Sequence, residues 1–158
     1  MKKLILGLFA TAVISMTAHA QTEKSTVLLG GNIGLQTSSG ATVFSLNPNI
    51  GFFVVNNIAI GAELDLATTS GFTSWALGPY VKPYFGKSDA GKFFAKGSLL
   101  VGGATGTTTD VGFGIGAGYA LFLNKSIALE FLAQYQKVGK SNDGVFGINI
   151  GFQIHLKK

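Results

Sequence analysis

Apolar residues take every other position along eight short segments after residue 20, and the ionisable residues inside those segments take the alternate positions. In residues 58–67, Ile58, Ile60, Ala62, Leu64 and Leu66 form one hydrocarbon face. Ala59, Gly61, Glu63, Asp65 and Ala67 form the other, which is small or charged. A period of two is that of a β-strand. A soluble β-sandwich or lipocalin-like barrel would have to bury the apolar face and expose a glycine-rich one. The opposite polarity, with lipid outside and polar groups in a lumen, suits a membrane-spanning barrel. The fold expected is all-β: an eight-stranded antiparallel up-and-down transmembrane β-barrel.

The pattern predicts strands near 26–36, 43–54, 58–67, 74–85, 93–102, 111–123, 126–136 and 145–156. Their number and length match the smallest bacterial single-chain barrels. Short connections at 55–57, 86–92 and 124–125 belong at the periplasmic end. The longer Ser/Thr/Gly segments at 37–42, 68–73, 103–110 and 137–144 belong at the exterior.

The first twenty residues are of another kind. Lys2 and Lys3 precede an apolar run from Leu4 to Ile14, and Ala18-His19-Ala20 has the small-x-small form of a signal-peptidase site. The run is too short to cross a bilayer as a helix. The expectation is a cleaved signal peptide over 1–20 and one barrel domain over 21–158. Lysine supplies all the basic residues, and the formal charge of +5 falls to +3 without Lys2 and Lys3. So small a balance argues against a nucleic-acid partner. With no cysteine in the chain, stability must come from closure and packing rather than disulfides.

Charge and aromatic placement agree with one register. Glu63, Asp65, Lys82, Lys96 and Glu130 all fall on the face opposite the apolar one. On the apolar face Phe44, Trp75, Phe113, Tyr135 and Phe146 lie near the exterior ends. Phe52, Phe85, Phe93, Tyr119 and Phe152 lie near the periplasmic ends. Two belts at headgroup level follow. Pro48, Pro79 and Pro83 fall inside strands of a structure with no edge, so breaks or bulges are expected there.

The segments from Ser45 to Val54, Asn57 to Gly61, Leu77 to Phe85 and Gly114 to Tyr119 carry a resemblance to the small outer-membrane β-barrel family of Gram-negative bacteria. That group includes the membrane domain of outer membrane protein A and outer membrane protein X. The resemblance spans essentially the whole chain after residue 20, and its motifs are architectural. It implies the cell outer membrane as location and outer-membrane lipids as surroundings. Asn149, Gly151, Ile154 and Leu156 resemble the final-strand signal read by the barrel-assembly machinery, although the chain ends on Leu156-Lys157-Lys158 instead of an aromatic residue.

Strand six points Gly112, Gly114, Gly116 and Gly118 inward, a bare strip in a tube only just wide enough for side chains. A salt bridge from Lys96 to Glu130 is expected across it, with Glu63 and Lys82 as a second pair on adjacent strands. Together with Tyr80, Tyr84, Phe94 and Phe53 they would plug the lumen. A minor channel for ions or very small solutes is the alternative, and a lipid-modifying enzyme a distant third. His155, the only histidine after residue 20, lies inward near the periplasmic end, and no third ligand joins Glu63 and Asp65. No catalytic residue, metal site or cofactor is expected. The chain reads as a non-enzymatic, monomeric envelope protein with a structural or interaction role.

Overall fold

The computed structural model describes residues 22–38, 41–69, 72–104, 106, 108–139 and 144–157. The expected signal peptide lies outside the described residues. Eight strands run in chain order: β1 (Val27–Ser38), β2 (Ala41–Val55), β3 (Ile58–Thr69), β4 (Phe72–Phe85), β5 (Gly91–Ala104), β6 (Asp110–Phe122), β7 (Ile127–Val138) and β8 (Val145–Leu156). Each pairs antiparallel with the next, and β8 pairs with β1 to close the barrel. Several strands run farther toward the exterior than the apolar pattern alone indicates, β2 beginning at Ala41 and β4 at Phe72. Backbone pairing continues there beyond the apolar alternation.

The strands are strongly tilted. Pairing partners traced around the wall run from Val27 to Phe52, Ile60, Val81, Gly97, Ile115, Tyr135 and Phe146. They return to β1 at Thr37, ten residues beyond the start. With a rise of ~3.3 Å per residue and ~4.8 Å between strands, that offset corresponds to a tilt of about 41°.

Between the two aromatic rings the outside is apolar. Ile33, Ile50, Leu77, Leu99, Ile115 and Ile148 are exposed along the wall, and Phe44, Trp75, Phe113 and Phe146 ring one end while Phe52, Phe85, Phe93 and Phe152 ring the other. Phe93 meets Tyr119 edge-on, with centroids 5.0 Å apart. The buried residues include Glu63, Asp65, Lys82, Lys96 and Glu130. Burial is therefore inverted relative to a soluble protein, as a transmembrane barrel requires.

All three prolines interrupt one ladder and leave the register intact. Against β5, Leu77 pairs with Val101, and pairing resumes at Tyr80 with Ser98. It holds at Val81 with Gly97 and resumes again at Tyr84 with Phe94. Pro79 and Pro83 fall in these two gaps, while both remain paired with β3. Pro48 is paired with Gly31 of β1 and falls in a gap against β3. The missing N–H thus costs one bond on one side, and no bulge forms at a proline. The single register shift lies between Phe53 and Val55, beside the tight β2–β3 turn where Asn57 adopts a φ of 66°.

The barrel lumen as candidate functional site

The lumen is layered. At the end where β1 begins and β8 finishes, Leu28, Phe53, Ala59, Tyr84, Phe94, Ala120, Phe122, Ala128 and Leu132 form one apolar cluster. Phe53 and Phe94 stand 5.5 and 5.6 Å from Tyr84, ring centre to ring centre. His155 is packed into the same floor, 6.1 Å from Phe53 and 5.4 Å from Phe122. Residues 22–26, which lack any strand pattern, close this end from below. Asn57 donates its backbone N–H to the Thr22 carbonyl at 2.7 Å. Lys92 reaches Thr22 Oγ1 at 2.7 Å and Asn57 Oδ1 at 2.6 Å. Sequence reading missed this seal, because alternation marks faces of strands and is silent on a segment outside them.

Above the apolar floor lie two ion pairs, and their partners are exchanged relative to expectation. Lys82 Nζ donates to Glu130 Oε2 at 2.5 Å, and Tyr84 Oη donates to Glu130 Oε1 at 2.9 Å. Lys96 pairs with Glu63. Register explains the exchange. Glu63 stands opposite Gly78 on β4, whereas Lys82 stands opposite Ala59, four residues away. Lys96 leads through Gly116 to Gln134 on β7, again four residues from Glu130. In a tilted barrel, equal distance from a turn is not equal height. Lys82 also lies over the Phe94 ring, 4.3 Å from its centroid, which gives the ammonium a second favourable contact.

The glycine strip is covered by side chains of its neighbours, and the pair expected across it, Lys96 with Glu130, does not form, since Lys96 is taken by Glu63. A Cβ added at Gly118 would stand 2.5 Å from Phe94 Cζ. One at Gly116 would stand 2.9 Å from Leu132 Cδ1, one at Gly114 2.5 Å from Ser98 Oγ, and one at Gly112 2.8 Å from Val138 Cγ2. Tyr80 has a matching seat across the barrel, where a Cβ at Gly61 would stand 2.7 Å from its Cζ. Gly118→Ala should therefore lower the unfolding free energy by about 1–3 kcal/mol, since the Phe131 carbonyl oxygen also stands 2.2 Å from that Cβ. Gly97→Ala, whose Cβ meets nothing closer than 3.8 Å, should leave the urea midpoint almost unchanged. Equal midpoints for the two variants would refute close packing over the strip.

Toward the exterior the lumen opens into a cavity of about 260 Å³, lined in part by Gln36, Asp65, Ser74, Thr108, Asp110 and Gln136. Asp65 accepts a hydrogen bond from Gln136 Nε2 at 2.7 Å and another from Asn47 Nδ2. Asn47 Oδ1 and Glu63 Oε1 are buried without a hydrogen-bond partner. On β8, Asn149 and Gly151 are buried toward the lumen, while Ile154 and Leu156 are exposed on the outer face.

Among solved structures, Neisserial surface protein A resembles the chain at 17% identity and a TM-score of 0.67, over 82% of this chain and 95% of that one. The fold is that of small outer-membrane β-barrels. The N-terminal barrel domain of Pseudomonas aeruginosa OprF resembles it at 12% identity and 0.62, over 83% and 98%. The outer-membrane enzyme PagL resembles it at 14% identity and 0.50, over 80% and 98%. No family model and no curated protein matches the chain. At these identities the likeness shows the fold, which hosts an enzyme as well as surface proteins.

Proposed function

We propose that this chain is an outer-membrane barrel with a structural or interaction role in the envelope, acting without catalysis and with its lumen plugged. The observation that carries this reading is the continuous obstruction at the end where β1 begins and β8 finishes. An apolar cluster with Phe53, Tyr84, Phe94 and Phe122 fills the bore, Lys92 and Thr22 seal it below, and two ion pairs lie above. Against the enzyme reading stands the position of His155, buried between rings at the far end from the exterior cavity. A general base must be within reach of its substrate. The expected surroundings are outer-membrane lipids around a monomer. Delivery by the barrel-assembly machinery is supported by the pattern of Asn149, Gly151, Ile154 and Leu156 on β8, the strand that closes onto β1.

A minor channel is the second reading, favoured by the cavity at the exterior mouth. Planar-bilayer recording separates the two. The wild-type barrel should show no discrete conductance steps, whereas Phe94→Ala, which removes the ring seated on Gly118, should show brief openings. Steady openings of the wild type would overturn the plugged reading.

A further inference from the structure

We propose that the exterior cavity is a binding site for one neutral hexose ring, either a free sugar or the end residue of a surface glycan. The inference concerns the open upper half of the lumen and stands whether or not the lower half conducts. It rests on Gln36 of β1, which is only 6% exposed and lines the cavity. Its stem lies over Gly147, its partner on β8, where an added Cβ would stand 3.0 Å from Gln36 Cγ. Among the described residues nothing bonds to the carboxamide at the end of that stem. Buried polar side chains are normally bonded, and leaving one unpaired is costly. Gln134 Nε2 and Asn149 Nδ2 also lack partners, but neither residue borders the cavity, whereas Gln36 does. On the other side of β8, Gln136 of β7 is 8% exposed and lines the same space. It gives its Nε2 to Asp65 at 2.7 Å, and its Oε1 has no donor among the described residues.

The free groups decide the class of ligand. Asp65 already receives amide donors from Gln136 and Asn47, so what the cavity still offers is a carboxamide that both donates and accepts, beside a second carbonyl oxygen. An apolar guest would leave Gln36 unpaired. An acidic one would meet the carboxylates of Asp65 and Asp110, both in the lining. Hard metal ions ask for six or more oxygen ligands, and among the described residues no three His, Cys, Asp or Glu side chains are grouped to hold one. Hydroxyl groups donate and accept at once, which answers both carboxamides. Ala67, Ala76, Val138 and Val145 complete the lining with apolar surface suited to the C–H bonds of a ring. The volume of about 260 Å³ lies below that of pockets for larger organic ligands and restricts the guest to a single ring.

The test uses the full barrel folded in micelles of a detergent without a sugar headgroup, titrated with glucose, galactose and mannose and followed by the side-chain amide shifts of Gln36 and Gln136. At least one hexose should give saturable shifts. Glucuronate, which adds a negative charge, and cyclohexanol, a ring with one hydroxyl, should each bind at least about tenfold more weakly. Gln36→Leu should weaken hexose binding at least about fivefold, the effect of losing the bonds of one carboxamide, and should leave the urea midpoint almost unchanged because that side chain holds nothing in the wall. Ala67→Leu, which narrows the cavity from β3, should abolish binding, and it carries the test where Gln36→Leu does not fold. Methyl glycosides separate the two sources of the ring: full affinity marks the end residue of a glycan and lost affinity a free sugar, and both uphold the site. Absence of saturable shifts with all three hexoses overturns the proposal. So does equal affinity for glucuronate or cyclohexanol, or unweakened binding by folded Gln36→Leu or Ala67→Leu.

Discussion

Truncation of Glu130 to alanine is expected to lower the unfolding free energy of the detergent-folded barrel by about 3–5 kcal/mol, the range for breaking a buried ion pair by removing one partner. Among the described residues Glu130 is the only carboxylate bonded to Lys82, and it also accepts from Tyr84, so the truncation strands an ammonium and a phenol together. The Phe94 ring face offers Lys82 a remaining contact, worth a fraction of what is lost. Replacing both charges, as Lys82→Met with Glu130→Leu, should recover most of the stability, because well-packed apolar side chains of similar volume often match a buried pair. Urea unfolding followed by heat-modifiable gel migration reads both variants, and the fluorescence of Trp75, the sole tryptophan, gives a second probe at the exterior belt. An unchanged midpoint for Glu130→Ala would show that the ion pair does not hold the plug.

The second large effect belongs to the outer wall. Ile150→Lys should destabilise the barrel in a lipid bilayer by about 2–4 kcal/mol. Ile150 is 46% exposed and lies on β8 between Phe146 and Phe152, one from each aromatic belt, so its side chain stands near mid-membrane depth. Leu156→Lys, on the same face at the strand end, should cost only about 0–1 kcal/mol, since a long side chain there reaches the interface. Depth dependence is the discriminating result. A barrel whose outer wall met water would tolerate both substitutions alike.

Much of the fold is legible in the chain because alternation is a local property with a physical cause. The sign of each face follows from what cannot be placed in hydrocarbon: Glu63, Asp65, Lys82, Lys96 and Glu130 must all turn inward, and once they do the aromatic residues sort into two rings without further assumption. The prolines were harder to read. Pro48, Pro79 and Pro83 signal trouble in a closed sheet, yet each strand has two neighbours, and a missing N–H disturbs only the one it would have faced. Periodicity does not say which neighbour that is. The seal made by Thr22, Asn57 and Lys92 was illegible for another reason, since it joins an irregular segment, a turn and a strand end.

The interior shows where local pattern stops carrying information. Alternation along each strand is sufficient to select barrel over sandwich, lipid-facing wall over lumen, and the four charged residues that form ion pairs, because solvent preference acts on each side chain singly. The partner each of them takes rests on the ten-residue offset accumulated around all eight strands, which brings Lys82 level with Glu130 and lifts Lys96 to Glu63. That offset exists only when β8 closes onto β1. Closure is likewise what turns Asp65 from one more inward carboxylate into the floor of a cavity, because the wall around it is assembled from strands far apart in the chain.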